Sequence, residues 1–108
     1  MVRETNLIVE LKKFGKKLHE ELAVEKLILF GSYARGKPRK DSDVDIIIVS
    51  PKFRGIPLFL RSRGLRRRFG VKVPMDIICL TPEEFEEKRK EISIIAEAVK
   101  EGKELIAA

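Results

Sequence analysis

The sequence predicts a small α/β domain built around one β-sheet. Apolar stripes with helical spacing alternate along the chain with short β-branched runs that are typical of strands, and this alternation favours helices packed on a sheet. The 108 residues are enough for one modest hydrophobic core, and no repeat, low-complexity segment or linker divides them. We therefore expect a single domain over residues 1–108.

The first half of the chain is predicted to contain two helices and two strands. The helix comes from leucine and phenylalanine recurring at intervals of four and three, and the strands come from short apolar, β-branched runs. The expected elements are a helix over Leu7–Leu22 with Thr5 as N-cap, a strand over Leu27–Phe30, a short helix from Ser32 to Gly36, and a strand over residues 44–49.

The second half is predicted to add a basic helix, a strand, an acidic helix and a final strand. Thr81 is followed by proline and two glutamates, which is a strong helix start because Thr caps the first turn and acids favour its positive end. The expected elements are a loop over Pro51–Pro57, a basic helix interrupted at Gly64, a strand over Val71–Leu80, a helix from Thr81 towards Gly102, and a strand over Glu104–Ala107.

The charge is large and unevenly placed. The net charge is +6, and the stretch between Asp45 and Asp76 holds eight basic residues and no acidic one. One basic face that attracts an anionic partner would explain this stretch, and so would an ordinary solvated helix face. Both interpretations stay open from composition alone.

Composition also sets limits on the kind of protein. No run of about 18 apolar residues is present to span a membrane, and residues 1–13 lack the apolar core of a signal peptide, so we expect a cytoplasmic location. The lone Cys79 excludes an internal disulfide and most zinc sites, and His19 is equally isolated.

The stretch GSYARGKP, residues 31–38, falls short of a phosphate-binding P-loop. Pro38 stands where that motif needs a hydroxyl, and it also pushes Lys37 away from helical backbone angles. The following DSDVDI does not fit an EF-hand, because Ile46 replaces the required glycine and Lys52 the required glutamate.

Two short motifs at a fixed separation in the chain predict a phosphate-binding site of a different kind. Gly31 and Ser32 directly follow a predicted strand, where backbone N–H groups and a hydroxyl can meet a phosphate. Asp43 and Asp45 begin the next strand, and the period of two places both carboxylates on one face, with Val44 facing the other. A divalent cation that prefers oxygen ligands would relieve their repulsion, so the pair predicts magnesium and a triphosphate.

These residues resemble a known family. GSYARGKPRKDSDVDIIIV matches the G-S-x10-D-x-D signature of the polymerase-beta-like nucleotidyltransferase superfamily, and the chain is similar in length and layout to its minimal nucleotidyltransferases. The resemblance implies a mixed sheet with helices packed mainly on one face. It also implies ATP as substrate and two Mg²⁺ ions.

The resemblance also implies the roles of individual residues. Asp43, Asp45 and Asp76 would be the catalytic and metal-binding carboxylates, with Asp76 supplied by a neighbouring strand. Gly31 and Ser32 would hold the β- and γ-phosphates, with Arg35 as a further nucleotide-binding residue. Asp76 would in addition accept the proton of the acceptor hydroxyl.

The implied acceptor lies outside this chain. Minimal members of the family commonly pair with a helical HEPN-domain toxin and some transfer AMP to it, so the function expected is the antitoxin half of such a pair. Two alternatives remain: a non-catalytic protein that binds nucleotide or toxin, and a basic RNA-binding module using residues 61–72. Homo-oligomerisation is also left open.

Overall fold

A computed structural model of the chain describes residues 4–31, 44–68, 70, 74–91 and 94–107. Within them, helices and strands alternate along the chain as the sequence predicts. Their bounds are α1 Glu4–Leu22, β1 Lys26–Phe30, β2 Val44–Val49, a 3-10 turn Pro51–Phe53, α2 Leu58–Arg61, α3 Leu65–Arg68, β3 Met75–Leu80, α4 Pro82–Lys88, α5 Ile94–Glu101 and β4 Lys103–Ala107.

The described strands form one mixed sheet in the order β3-β2-β1-β4. β1 runs antiparallel to both of its neighbours, β2 and β4, whereas β2 and β3 are parallel. The end of β1 therefore meets the beginnings of β2 and β3 at one end of the sheet. This register pairs Phe30 with Asp45, and Asp45 with Asp76.

Helices cover both faces of this sheet. β2 is buried from Ile46 to Val49 on both sides, so each of its faces needs an apolar cover. α1 packs through Leu11, Phe14 and Leu18 on the face that carries Ile46 and Ile48. Phe85 of α4, with Ile95 and Ala98 of α5, packs on the opposite face, which carries Ile47 and Val49.

The predicted fold class, an α/β domain with a small mixed sheet, is confirmed. The distribution of its helices differs from the expectation that they lie mainly on one face. The reason is the composition of the strands: a strand that is apolar on both faces requires packing partners on both.

The predicted helix starts meet different outcomes. Thr81 caps α4 through a hydrogen bond from Glu84 N to Thr81 Oγ1 (3.2 Å), and the Glu84 carboxylate accepts a return bond from Thr81 N (2.8 Å). This is the capping box that the sequence predicts. α1, by contrast, already begins at Glu4, so Thr5 lies inside the helix and is not its N-cap. The expected short helix from Ser32 to Gly36 lies outside the described residues.

The basic segment forms two short helices rather than one. α2 and α3 are separated by a turn in which Gly64 has φ +77°, a left-handed conformation that glycine adopts without strain. None of the described helices is both long and apolar enough to cross a lipid bilayer.

Candidate active site

Three of the predicted site residues converge at one end of the sheet. Gly31 directly follows β1, while Asp45 and Asp76 are each the second residue of their strand. Asp45 and Asp76 occupy paired positions on neighbouring parallel strands, so their side chains project from the same face about 4.8 Å apart in backbone spacing. The prediction that Asp43 and Asp45 share a face is not tested, because Asp43 lies outside the described residues. The prediction that Val44 faces the other way agrees with the structure, since Val44 is buried in the core on the α1 side.

The backbone conformation of Gly31 and its lack of a side chain both suit its close contact with Asp45. Its φ is +74°, in the left-handed region, and a Cβ placed on its backbone would collide with Oδ2 of Asp45. A side chain at this position would therefore be strained by its backbone angle and would also displace the carboxylate. The sequence predicts Gly31 as a phosphate contact, and the structure adds that the glycine makes room for the acid.

A cavity of about 280 Å³ opens above these residues. α5 forms its other wall, because α5 packs on the sheet face that carries both acids. The described lining residues are Phe30, Gly31, Asp45, Asp76, Ile78, Glu97, Ala98 and Glu101. The cavity therefore joins the end of β1 to both aspartates, which is the place the sequence predicts for a nucleotide.

Glu97 and Glu101 are residues of this cavity that the sequence analysis did not single out. They stand four positions apart on α5, and both are exposed. Acids at this spacing on an amphipathic helix are usually a solvated face, so no sequence signal set them apart. Only the packing of α5 on the sheet brings them beside the aspartates.

The donors present suit a hard divalent cation. Asp45 and Asp76 offer carboxylate oxygens from adjacent strands, and Gly31 leaves the space that the Asp45 carboxylate occupies. Among the residues that the structure describes, no cluster of three or more His, Cys, Asp or Glu side chains forms a complete metal site. Asp43, the third predicted ligand, lies outside the described residues, as do Ser32 and Arg35. Their places in the site stay predictions.

The family to which these features point is confirmed by comparison with known proteins. The family described as a nucleotidyltransferase domain matches residues 9–107 of the chain. The chain therefore belongs to the nucleotidyltransferase domain family, and the family resemblance predicted from its motif is confirmed.

A curated relative adds a more specific similarity. The protein adenylyltransferase MntA of Thermococcus cleftensis is 44% identical over 46 residues, which cover 43% of this chain and 43% of that protein. The chain thus matches less than half the length of this curated relative.

Solved structures share the fold. A Sulfolobus solfataricus protein assigned to the nucleotidyltransferases is 25% identical with a TM-score of 0.62, over 78% of this chain and 75% of that one. The structure of a toxin-antitoxin with AMP-PNP has a TM-score of 0.58 at 19% identity, over 90% of this chain and 73% of that one. The latter similarity establishes the fold alone.

Proposed function

We propose that this chain is a magnesium-dependent protein adenylyltransferase that moves AMP from ATP to a hydroxyl group on a partner protein. The observation that carries the proposal is the meeting of Gly31, Asp45 and Asp76 at one end of the sheet, on the wall of one cavity. The similarity to a relative named protein adenylyltransferase supports AMP as the transferred group. A single minimal domain acting in the cytoplasm, where ATP is made, fits this activity.

The residues would divide the work as follows. Gly31 and Ser32 hold the β- and γ-phosphates of ATP through backbone N–H groups and the Ser hydroxyl, with Arg35 adding positive charge. Asp43, Asp45 and Asp76 hold two Mg²⁺ ions, which when bound lend positive charge to the attacking and leaving oxygens. In the transfer step the acceptor oxygen bonds to the α-phosphorus, the bond from that phosphorus to the bridging oxygen breaks, and pyrophosphate leaves. Asp76 takes the proton of the acceptor hydroxyl as general base.

The acceptor is proposed to be the toxin of a toxin-antitoxin pair, with the HEPN type of helical protein as the expected partner. The chain is similar in fold to a toxin-antitoxin assembly solved with AMP-PNP and to the toxin-antitoxin MntA-HpeT, the latter at a TM-score of 0.52. This partner protein would complete the acceptor site.

Transfer of label from α-labelled ATP tests the proposal. The chain is mixed with the protein encoded beside it, with Mg²⁺ present, and label on either protein is measured after gel separation. We expect label on the neighbour from the wild type and none from Asp43→Asn or Asp45→Asn, whose stability should match the wild type. Glu87→Gln, an equal loss of charge at an exposed position on α4, should transfer label normally.

The same experiment distinguishes catalysis from the main alternative, a protein that neutralises its partner by binding alone. Tight association of the two proteins without any label, after all four nucleoside triphosphates have been tried, would favour neutralisation by binding alone over catalysis. Label that persists in Asp45→Asn would show that the carboxylates are wrongly assigned.

A further inference from the structure

A second cavity, of about 530 Å³, also has Asp76 in its lining. The described residues that line it are Ser62, Arg63, Gly64, Arg67, Met75, Asp76 and Ile77. Its walls are thus the turn between α2 and α3 and the beginning of β3. Asp76 lines both cavities, so whatever occupies the second one lies next to the proposed general base.

The position of β3 explains why this cavity is open. β3 is an edge strand of the sheet, with β2 as its neighbour. Near its end the edge is covered by Arg61, whose side chain is only 7% exposed and donates to the Cys79 carbonyl (3.2 Å) and to Glu84. The beginning of the strand, Met75–Ile77, faces the cavity instead.

The arginines of this region fall into two groups. Three are paired with acids: Arg54 with Glu83, Arg61 with Glu84, and Arg68 with Glu21. Arg63 and Arg67 line the cavity, are exposed, and form no ion pair with any residue that the structure describes. Of the arginines in this region whose side chains the structure describes, the two without an acidic partner therefore both lie beside Asp76.

Apolar side chains are exposed just before these arginines. Leu58 is 57% exposed and Phe59 74%, and Ile56 and Leu60 are also exposed. We call residues 56–60 the apolar patch. Three of the four exposed side chains, Ile56, Leu58 and Leu60, are aliphatic and offer no ring for a base to stack on, so Phe59 is the one aromatic side chain of the patch. Exposed apolar residues beside arginine are typical of protein interfaces. The patch therefore favours a protein over RNA as the occupant.

We propose that this surface docks the acceptor protein, with an acidic segment of that protein entering the cavity and pairing with Arg63 and Arg67. The apolar patch is buried against the same partner, and the acceptor hydroxyl next to the acidic segment reaches Asp76 through this second cavity rather than through the nucleotide cavity. This inference rests on the proposed function and adds the chemistry that selects the acceptor: carboxylates flanking the modified hydroxyl.

Charge reversal tests the docking surface. In Arg63→Glu/Arg67→Glu, we expect the KM for the neighbouring protein as acceptor to rise at least tenfold, while the KM for ATP stays within twofold of the wild type. The matched control is Arg89→Glu/Lys90→Glu, an equal charge change on exposed residues beyond α4 that are not among the described lining of either cavity. It should leave both constants unchanged. An acceptor KM that is the same in both double variants would overturn the proposal.

Direct binding separates this inference from the proposed function. The affinity of the neighbouring protein is measured by calorimetry, without ATP, for the wild type, the arginine variant and Leu58→Ser/Phe59→Ser. Weaker binding by both variants supports the docking surface even if the wild type transfers no label, in which case only the proposed activity fails. Unchanged affinity overturns the surface. Loss of RNA binding in the arginine variant, with the protein affinity intact, would overturn it in favour of RNA.

Discussion

At the scale of single residues, the contact between Gly31 and Asp45 shows how backbone and side chain are matched in the site. The positive φ of Gly31 and the missing Cβ together let the end of β1 approach the carboxylate that begins β2. Glycine is thus required here for two separate reasons, the backbone angle and the space.

Replacing Gly31 by alanine should therefore damage both stability and activity. The left-handed backbone angle costs about 1–2 kcal/mol for a residue with a Cβ, and the displaced Asp45 should lower label transfer by at least an order of magnitude. Gly55→Ala is the matched control, because Gly55 has φ +79° and no described atom lies within 4 Å of the position of its Cβ. Urea denaturation should show a loss in both variants, and the loss should be larger in Gly31→Ala because its Cβ also collides with Asp45. Full activity in Gly31→Ala would contradict the role of the contact.

Cys79 is a second residue whose environment decides its chemistry. It is buried in the core on the α1 side, and this burial raises the pKa of its thiol to about 12, against a small opposing effect of Arg61. Since the thiolate is the reactive form, the native protein should resist a thiol-specific chromogenic reagent at about pH 8. The same protein in concentrated urea should react completely. Rapid labelling of the native protein would show that this part of the core opens readily.

At the scale of elements, Glu84 joins α4 to α2 through Arg61, and Arg61 also donates to the Cys79 carbonyl of β3. Its carboxylate accepts from Thr81 N, which completes the cap of α4, and from the guanidinium of Arg61 on α2. The ion pair with Arg61 is the main reason that the pKa of Glu84 is lowered to about 2, with the cap hydrogen bond contributing as well. The ion pair of Glu84 and Arg61 therefore links α4, α2 and β3.

Glu84→Gln tests this coupling. The folded-state pKa of Glu84 lies below its ordinary value of 4.5, so its charge stabilises the fold above that pH and the contribution is lost as the pH falls towards 2. At neutral pH we expect a loss of about 1–2 kcal/mol, limited because Glu84 is 37% exposed and water screens the pair. Urea denaturation at several pH values should show the difference from the wild type shrinking below about pH 4.

Glu83→Gln is the control for that series. Glu83 pairs with Arg54, but both side chains are more than half exposed, so its removal should change stability little. Equal effects of the two substitutions at neutral pH would mean that the burial of Arg61 is not what makes the Glu84 pair important.

At the scale of the whole molecule, the sheet is the layer shared by two hydrophobic clusters. One cluster contains Ile46 with α1, and the other contains Ile47 with α4 and α5. Both clusters depend on β2, because its successive side chains point to opposite faces of the sheet and so contribute to each cluster in turn. A fold of this kind should unfold as one unit, because losing either cluster leaves one face of the sheet exposed.

Ile46→Ala and Ile47→Ala test this dependence. Both isoleucines are fully buried, so each substitution should lower the free energy of unfolding by about 2–5 kcal/mol. Circular dichroism should show a single transition for each, and hydrogen exchange should accelerate in α1 and in α5 together. Acceleration confined to the helix that contacts the altered residue would indicate two independently unfolding halves.

Features that depend on neighbouring residues in the chain were predicted correctly from the sequence, and features that depend on distant residues were not. The strand over residues 44–49 and the capped start of α4 were predicted with their bounds, because a β-branched apolar run and a helix cap both depend on neighbours in the chain. The start of α1 and the division of helices between two faces were not, since helix ends fray and packing depends on distant residues. Glu97 and Glu101 entered the site only through the packing of α5.

The sequence alone was enough to identify the family and the motif positions Gly31 and Asp45, because such a signature depends only on residue types at a fixed spacing in the chain. That Asp45 and Asp76 are paired depends on the tertiary structure, because the parallel register of β2 and β3 brings together residues that are 31 positions apart. The tertiary structure also determines which arginines pair with acids and which line a cavity. The sequence cannot distinguish them, because all are arginines and only their acidic neighbours in space differ.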